Sequence, residues 1–229
     1  MNDLVKHFSK NTDGRDFIVG DLHGCFDSLR QSLSDVNFNE STDRLFSVGD
    51  LVDRGTQSEE SIDWIAKPWF HAVRGNHEQM AIEVFGGGWP EHNYISNGGK
   101  WFTRLPPERQ KLFAQIFETL PITIEIDHQI GKIGIVHADC PYSDWHSFVN
   151  VLSSDESDES DNIIYEMSIT EKAIWSRTRF QKQDTSNVKG VERIYVGHTP
   201  IKEWTILGNV YFIDTGCVFG GKLTLLEIK

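Results

Sequence analysis

Three short glycine-bounded fragments in the first third of the chain carry side chains suited to metal binding. They are Gly20-Asp21-Leu22-His23-Gly24, Gly49-Asp50-Leu51-Val52-Asp53-Arg54-Gly55 and Gly75-Asn76-His77-Glu78. Two later histidines have similar settings: His137 ends the run Ile133-Gly134-Ile135-Val136, and His198 follows Tyr195-Val196-Gly197. Asp21, His23, Asp50, Asn76, His77, His137 and His198 make seven hard or borderline donors, too many for one metal ion. They suit two ions, with one carboxylate bridging. Oxygen and imidazole donors without thiolate point to Mn2+, Fe or Zn2+, with Mn2+ first among them, rather than to a cysteine-rich structural zinc. Two such ions about 3.5–4 Å apart lower the pKa of a bridging water and clamp both oxygens of an in-line displacement. The chemistry expected is hydrolysis of a phosphate ester.

Those donors are tens of residues apart, so the fold has to gather them. Phe17-Ile18-Val19 reads as a buried strand, followed by a helix with Phe26, Leu29, Leu33 and Val36 at helical spacing. Leu45 to Val48 is a second strand, Ile62 to Ala66 a short helix, Trp69 to Val73 a third strand, and about His77 to Val84 a helix. This alternation predicts parallel pairing with right-handed crossovers. Parallel strands converge at their carboxyl ends, where ligands bind, and the glycines permit the tight turns that point the donors inward.

Further on, Pro107 opens and Pro121 ends a helix with one apolar face of Leu112, Phe113, Ile116, Phe117 and Leu120. Ile122 to Asp127 alternates with period two, and Gln129-Ile130-Gly131 suggests a hairpin into Ile133–Val136. Strands near 194–196, 210–213 and 223–228 complete the chain, and antiparallel pairing is expected for them. The fold class expected is α/β, with mixed sheets packed together and flanked by helices, in one domain over 1–229. Asn97-Gly98-Gly99 reads as a turn. The run Ser153 to Asp161 holds five acids within nine residues and no apolar side chain, and reads as a mobile, solvated loop.

At 229 residues, with 38% hydrophobic and 24% charged residues, the composition is that of a soluble globular protein. The net charge of −12 argues against nucleic-acid or anionic-membrane partners. A phosphate anion must then be attracted locally, by metals and a few arginines. No signal-peptide pattern opens the chain, and no apolar run approaches a membrane helix. Cys25, Cys140 and Cys217 are odd in number, scattered and without a CxxC pair, which fits reduced thiols in a cytoplasm. A monomer in the cytoplasm is expected.

The set GDxHG, GDxVDRG, GNHE, an isolated His after a strand, and GH resembles the metallophosphoesterase (calcineurin-like) superfamily. Within it, the chain is similar to small bacterial and bacteriophage lambda-type serine/threonine protein phosphatases, from Gly20 to the tail containing Asp214-Thr215-Gly216. The resemblance implies that Asp21, His23 and Asp50 hold one metal, with Asp50 bridging, while Asn76, His137 and His198 complete the other. A hydroxide bridging the metals would be the nucleophile. His77 would be the general acid, oriented by Asp53. Arg54, Arg74 and Arg177 would grip the phosphoryl oxygens. The substrate implied is a phosphorylated protein or small phosphomonoester, on Ser/Thr and possibly Tyr. For Asp139 and Asp214, close to the site, supporting or turn roles are expected.

Three rivals bear on this reading. A cysteine-based tyrosine phosphatase needs Cys-x5-Arg, but six residues after the three cysteines stand Gln31, His146 and Leu223. Symmetrical dinucleoside-tetraphosphate hydrolases share the metal core, but commonly lack the aspartate of VDRG and end the third motif in GNHD. Asp53 and Glu78 stand on the phosphatase side. A degenerate binding module should have lost a ligand, and none is missing.

Overall fold

The computed structural model describes residues 4–154 and 167–229. Two sheets lie face to face. The four-stranded sheet has the order β10-β2-β3-β4, built from β2 (Asp16–Val19), β3 (Arg44–Ser47), β4 (Phe70–Ala72) and β10 (Leu225–Glu227). The other has six strands in the order β1-β5-β6-β7-β9-β8. Its strands are β1 (Val5–Phe8), β5 (Thr123–His128), β6 (Gly131–Val136), β7 (Arg193–Val196), β8 (Thr205–Leu207) and β9 (Val210–Phe212).

Alternation along the strands explains the layering. Ile18, Phe46, Ile124, Ile126, Ile133, Ile135 and Tyr195 point between the sheets and form one core layer. Phe17, Val19, Leu45 and Phe70 face the other way, under α1 (Phe26–Asp35), α2 (Ser61–Ile65), α3 (Asn76–Phe85) and α6 (Pro107–Glu118). Val136, Ile194, Val196 and Phe212 face α7 (Trp145–Ser153) and α8 (Ile169–Trp175). Strands covered on both faces read as continuous apolar runs, which is why Phe17-Ile18-Val19 shows no alternation. The expected mixed sheets flanked by helices are therefore present.

β2, β3 and β4 pair in parallel as expected. The last third corrects its expectation. β7 runs parallel to both β6 and β9, and only β8 and β10 pair antiparallel. The reason is the length of the connection from β6 to β7, which carries α7, α8 and α9 (Thr178–Lys182) and returns the chain to the same end. As a result the carboxyl ends of β2, β3 and β4 in one sheet, and of β6, β7 and β9 in the other, meet at one edge. β1 and β8, both absent from the sequence reading, close the outer edges of the larger sheet.

The expected turn at Asn97-Gly98-Gly99 is a kink between α4 (Glu91–Tyr94) and α5 (Lys100–Thr103), with Gly98 at φ 106°. Of the acidic run, Ser153 ends α7 and Ser154 caps it, while 155–161 lie outside the described residues.

Gly134 illustrates how the sheets and helices are spaced. A Cβ there would lie 2.5 Å from the Trp145 indole, whose own N–H donates to Glu125 Oε1 at 2.8 Å. A ring held at both ends cannot retreat. Gly134→Ala should therefore destabilise the fold by about 1–3 kcal/mol, read as a lower urea midpoint at unchanged m-value.

Candidate metal centre

Each side chain singled out for the centre stands just past a strand, at the edge where the two sheets meet. Asp21 and His23 follow β2, Asp50 and Asp53 follow β3, and Asn76 and His77 open α3 after β4. His137 follows β6 and His198 follows β7. All eight side chains are buried. Among the described residues, seven non-glycine residues have positive φ, and five of them are here: His23, Asp50, Asp53, Arg54 and His198. Such backbone costs of order 1 kcal/mol per residue and persists only where surroundings impose it.

Those surroundings are identifiable. Glu78 is fully buried, and its carboxylate accepts from the N–H groups of Gly75 (2.8 Å), Asp50 (3.0 Å) and Leu51 (2.8 Å). One side chain thus locks the Asp50 loop to the start of α3. Burial raises the Glu78 pKa to about 7, with Asp50 adding to the effect. Gly197 is required for a different reason: a Cβ there would lie 1.8 Å from Asp21 Oδ1. That carboxylate instead accepts from the His198 N–H, at 3.2 Å and 3.0 Å to its two oxygens.

Two groups of donors form around one shared carboxylate. His23, Asp50 and His77 make one, and Asp50, His137 and His198 the other, with the ligating atoms of each group within 4.8 Å of one another. Asp50 Oδ2 lies 3.5 Å from His23 Nε2, 3.4 Å from His137 Nε2 and 3.9 Å from His77 Nε2. Asn76 Oδ1 joins the second group, 3.0 Å from His137 Nε2 and 2.8 Å from His198 Nδ1. Asp21 stands outside the tight groups because its carboxylate is turned to the His198 amide.

The imidazole tautomers test whether a metal fits. A backbone carbonyl only accepts, so the ring nitrogen facing it must carry the proton. His137 Nδ1 faces Val48 O at 2.7 Å, His23 Nδ1 faces Val52 O at 2.7 Å, and His198 Nε2 faces Trp175 O at 3.0 Å. In the second group this aims the lone pairs of His137 and His198 at the Asn76 oxygen and at Asp50. Acceptors facing acceptors at such distances are relieved by a shared cation, or by a proton on His137, whose pKa Asp50 raises against burial; carbonyl-pinned imidazoles are the usual arrangement of metal-ligating histidine. Burial lowers the pKa of His23 to about 3 and of His198 to about 2, so both rings stay neutral. Burial, Asp214 and Asp50 drive the Asp21 carboxyl well above its ordinary range, a surplus of negative charge that a cation would relieve. The residues therefore fit divalent metal ions.

His77 sits differently. Its Nδ1 lies 2.6 Å from Asp53 Oδ2, leaving Nε2 toward the cluster. Asp53 Oδ1 accepts from the Tyr94 hydroxyl at 2.9 Å and the Trp101 indole N–H at 2.6 Å. Tyr94 and Trp101 escaped the sequence reading, because no motif marks partners 41 and 48 residues from Asp53.

The arginines divide. The Arg54 guanidinium reaches the cluster, hydrogen-bonded to His23 Nε2 and 5.4 Å over the Phe219 ring. Its own N–H is held by the Gly98 carbonyl at 3.4 Å, which gives the kink before α5 a purpose. Arg177 donates to the His198 carbonyl at 3.1 Å and lines a cavity of about 740 Å³ with Trp175, Tyr142 and Lys182. Arg179, its neighbour, is buried against Asp139 at 3.2 Å. Arg74 is not brought to the cluster, contrary to its expected place. It donates to the carbonyls of Glu118 (2.6 Å) and Leu120 (3.1 Å) and to Gln79 Oε1 (3.1 Å). The last turn of α6 offers unsatisfied carbonyls, and they capture this cation. Asp139 takes the supporting place expected of it by pairing with Arg179. Asp214 follows β9, accepts the Gly216 N–H through Oδ1 at 3.0 Å, and adds to the upward push on the Asp21 pKa.

Residues 17–223 match the calcineurin-like phosphoesterase family. Serine/threonine-protein phosphatase 1 of Salmonella typhimurium is 35% identical over 218 residues, covering 93% of this chain and 91% of that protein. An asymmetrical bis(5'-nucleosyl)-tetraphosphatase of Geobacillus thermodenitrificans is 28% identical, covering 92% of this chain and 89% of its own. A solved protein serine/threonine phosphatase from Saccharomyces cerevisiae shares the fold, at TM-score 0.65 and 14% identity, covering 100% of this chain and 84% of that one. With its own strand-end donors arranged around a shared aspartate, the chain belongs to the calcineurin-like phosphoesterase family.

Proposed function

We propose that this chain is a metal-dependent phosphomonoesterase acting on phosphorylated proteins. The observation that carries the reading is the His77–Asp53 pair, set against a donor cluster that shares Asp50. Asp21, His23 and Asp50 would hold one ion and Asn76, His137 and His198 the other, with Mn2+ the first choice and Fe or Zn2+ alternatives. When bound, the ions would supply a nucleophilic oxygen at neutral pH and neutralise charge on the phosphoryl group. Arg54 and Arg177 would hold phosphoryl oxygens through their fixed guanidinium forks. Asp53, itself fixed by Tyr94 and Trp101, would keep the Nδ1 proton of His77 in place. Nε2 would then deliver a proton to the leaving serine or threonine oxygen. We place the protein in the cytoplasm as a monomer. The scattered cysteines support that compartment, and no helix of the described residues is long and apolar enough to cross a membrane.

A second reading, hydrolysis of dinucleoside tetraphosphates, is favoured by the relatives of that activity. They are of the asymmetrical kind, whereas the rival weighed on sequence was the symmetrical one. The retained Asp53 and the protein phosphatase relatives support the phosphoprotein reading. A phosphoserine/phosphothreonine peptide panel run beside diadenosine tetraphosphate separates the two. Faster turnover of the nucleotide at equal concentration would reverse the order.

Metal dependence has two readouts. Chelation should abolish turnover of p-nitrophenyl phosphate, and returning Mn2+ should restore it. Mn2+ should also raise the melting temperature of the metal-free protein, since binding to the folded state alone stabilises it. Full activity in a sample shown to be metal-free would refute the assignment.

His77→Asn should lower kcat by roughly 10²–10⁴-fold on phosphopeptides, and by less on p-nitrophenyl phosphate, whose leaving group needs little protonation. Asp53→Asn should be a weaker copy. Metal content should stay near that of the parent in both. A lost metal ion in His77→Asn would make His77 a ligand instead, as its place in the first donor group allows.

The arginines should separate by parameter. Arg54→Ala and Arg177→Ala should raise KM and lower kcat. Arg74→Ala should chiefly destabilise the fold, by about 1–3 kcal/mol from carbonyls left unpaired at the end of α6. A stable Arg74→Ala protein with raised KM would return Arg74 to phosphate binding.

A further inference from the structure

Trp175 and Arg177 belong to two places at once. Both touch His198: the Arg177 guanidinium donates to the His198 carbonyl at 3.1 Å, and the Trp175 carbonyl faces His198 Nε2 at 3.0 Å. Both also line the cavity of about 740 Å³ that opens beside the centre. One phosphoryl group fills a small part of such a volume, so the cavity extends the centre sideways. Helix periodicity builds one of its walls. Thr178, Gln181 and Lys182 stand at i, i+3 and i+4 on one face of α9 and line the cavity together. Phe180, between them, turns inward onto Phe212, with ring centroids 5.4 Å apart.

The lining carries a charge opposite to that of the chain. Among the described residues its cations are Lys172, Arg177, Arg179 and Lys182, and its carboxylates are Asp139 and Asp184. Arg179 is buried beside both carboxylates, 3.2 Å from Asp139 and 3.9 Å from Asp184. Asp184 also accepts the Ser186 N–H at 2.9 Å. The local balance is thus positive in a chain of net charge −12, with Arg177 and Lys182 both exposed. Tyr142, Met167 and Trp175 contribute apolar wall to the same cavity.

We propose that this cavity is a subsite for an acidic side chain, Asp or Glu, two or three residues from the phosphorylated one, and that its carboxylate pairs with Lys182. The inference rests on the phosphoprotein reading and names the substrates it prefers. The step from Arg177 to Lys182 covers about 7.5 Å along α9. An extended peptide advances about 3.3 Å per residue. A phosphoryl group held at Arg177 therefore brings a side chain two or three residues away within reach of Lys182. The apolar wall takes the methylene stem, and the carboxylate meets the cation. Net charge alone dictates the opposite preference, since a chain at −12 repels acidic peptides and attracts basic ones. The sign of the peptide preference therefore reads the cavity directly.

The test is kcat/KM of the full chain on a phosphothreonine peptide in which each flanking position in turn carries Glu, Gln or Lys. Two or three residues from the phosphothreonine, on one side, Glu should exceed Gln by about 2- to 5-fold, the scale of an exposed ion pair. Lys182→Gln should abolish that preference, and Lys182→Glu should transfer it to Lys. The preference should fade in about 1 M salt, where charges are screened within about 3 Å. p-Nitrophenyl phosphate is too small to reach the cavity, so the parent and both variants should turn it over equally. Equal rates on the three peptides, or a parent that favours Lys, overturn the subsite. So does a Glu preference that survives both substitutions, or a variant slowed as much on p-nitrophenyl phosphate as on the Glu peptide. Turnover of diadenosine tetraphosphate with none of any phosphopeptide refutes the phosphoprotein reading itself, and the subsite with it.

Discussion

The Asp50 carboxylate is the point on which the two halves of the fold depend. Oδ2 lies within 4 Å of three imidazoles, two from loops and one from the first turn of α3, and Oδ1 accepts the His77 N–H at 3.0 Å. The Asp50 pKa is pulled well below its ordinary range: burial works against the charge, but its interactions with the His137 and His77 rings prevail. His137 is the counterpart, its pKa raised by Asp50 and its hydrogen bond against the opposing effect of burial. A sheet-edge cluster of this kind exists only if loops from both sheets are held at fixed separation. Fixing them is what the inter-sheet layer of Ile18, Phe46, Ile133 and Ile135 accomplishes.

Holding the donors requires unfavourable backbone, and the molecule compensates for it locally. His23, Asp50, Asp53, Arg54 and His198 sit in the left-handed region without being glycine. Each is tied down by a partner that a random loop would lack: the Asp50 carbonyl for the His23 amide at 2.8 Å, Glu78 for Asp50, Ser58 for the Asp53 amide at 2.9 Å, Gly98 for Arg54, Asp21 for His198. Rigid donors pre-arranged before binding avoid an ordering cost when substrate arrives. The buried ring of hydrogen bonds around Asp53 serves the same end for His77.

Charge is arranged on two scales. The chain as a whole carries −12, yet cations stand at the mouth of the cluster, with Arg54 on His23 and Arg177 on the His198 carbonyl. A long-range field of this sign does not steer an anion in, so capture falls to contacts within about a Debye length. Arg179 is withdrawn from that task by Asp139, and Arg74 by the end of α6.

By itself the sequence determined which metal-suited side chains would be gathered at one edge and where along the chain they lie. Apolar runs ending in glycine and a donor are a local signal, and parallel strands place their carboxyl ends together by rule. The placement of Asp21, His23, Asp50, Asn76, His137 and His198 at strand ends was legible for that reason, as were the strand–helix–strand beginning and the face of α6. Only the tertiary structure decided the rest. Tyr94 and Trp101 became partners of Asp53 through packing across more than 40 residues, which leaves no local pattern. The carbonyls that pin the histidines are present on every residue and carry no sequence mark. Strand direction in the last third followed from a long crossover rather than from strand composition. A long, flexible arginine goes to whichever unpaired acceptors the fold leaves nearest. For Arg74 those were the carbonyls of Glu118 and Leu120 at the end of α6, 44 and 46 residues along the chain.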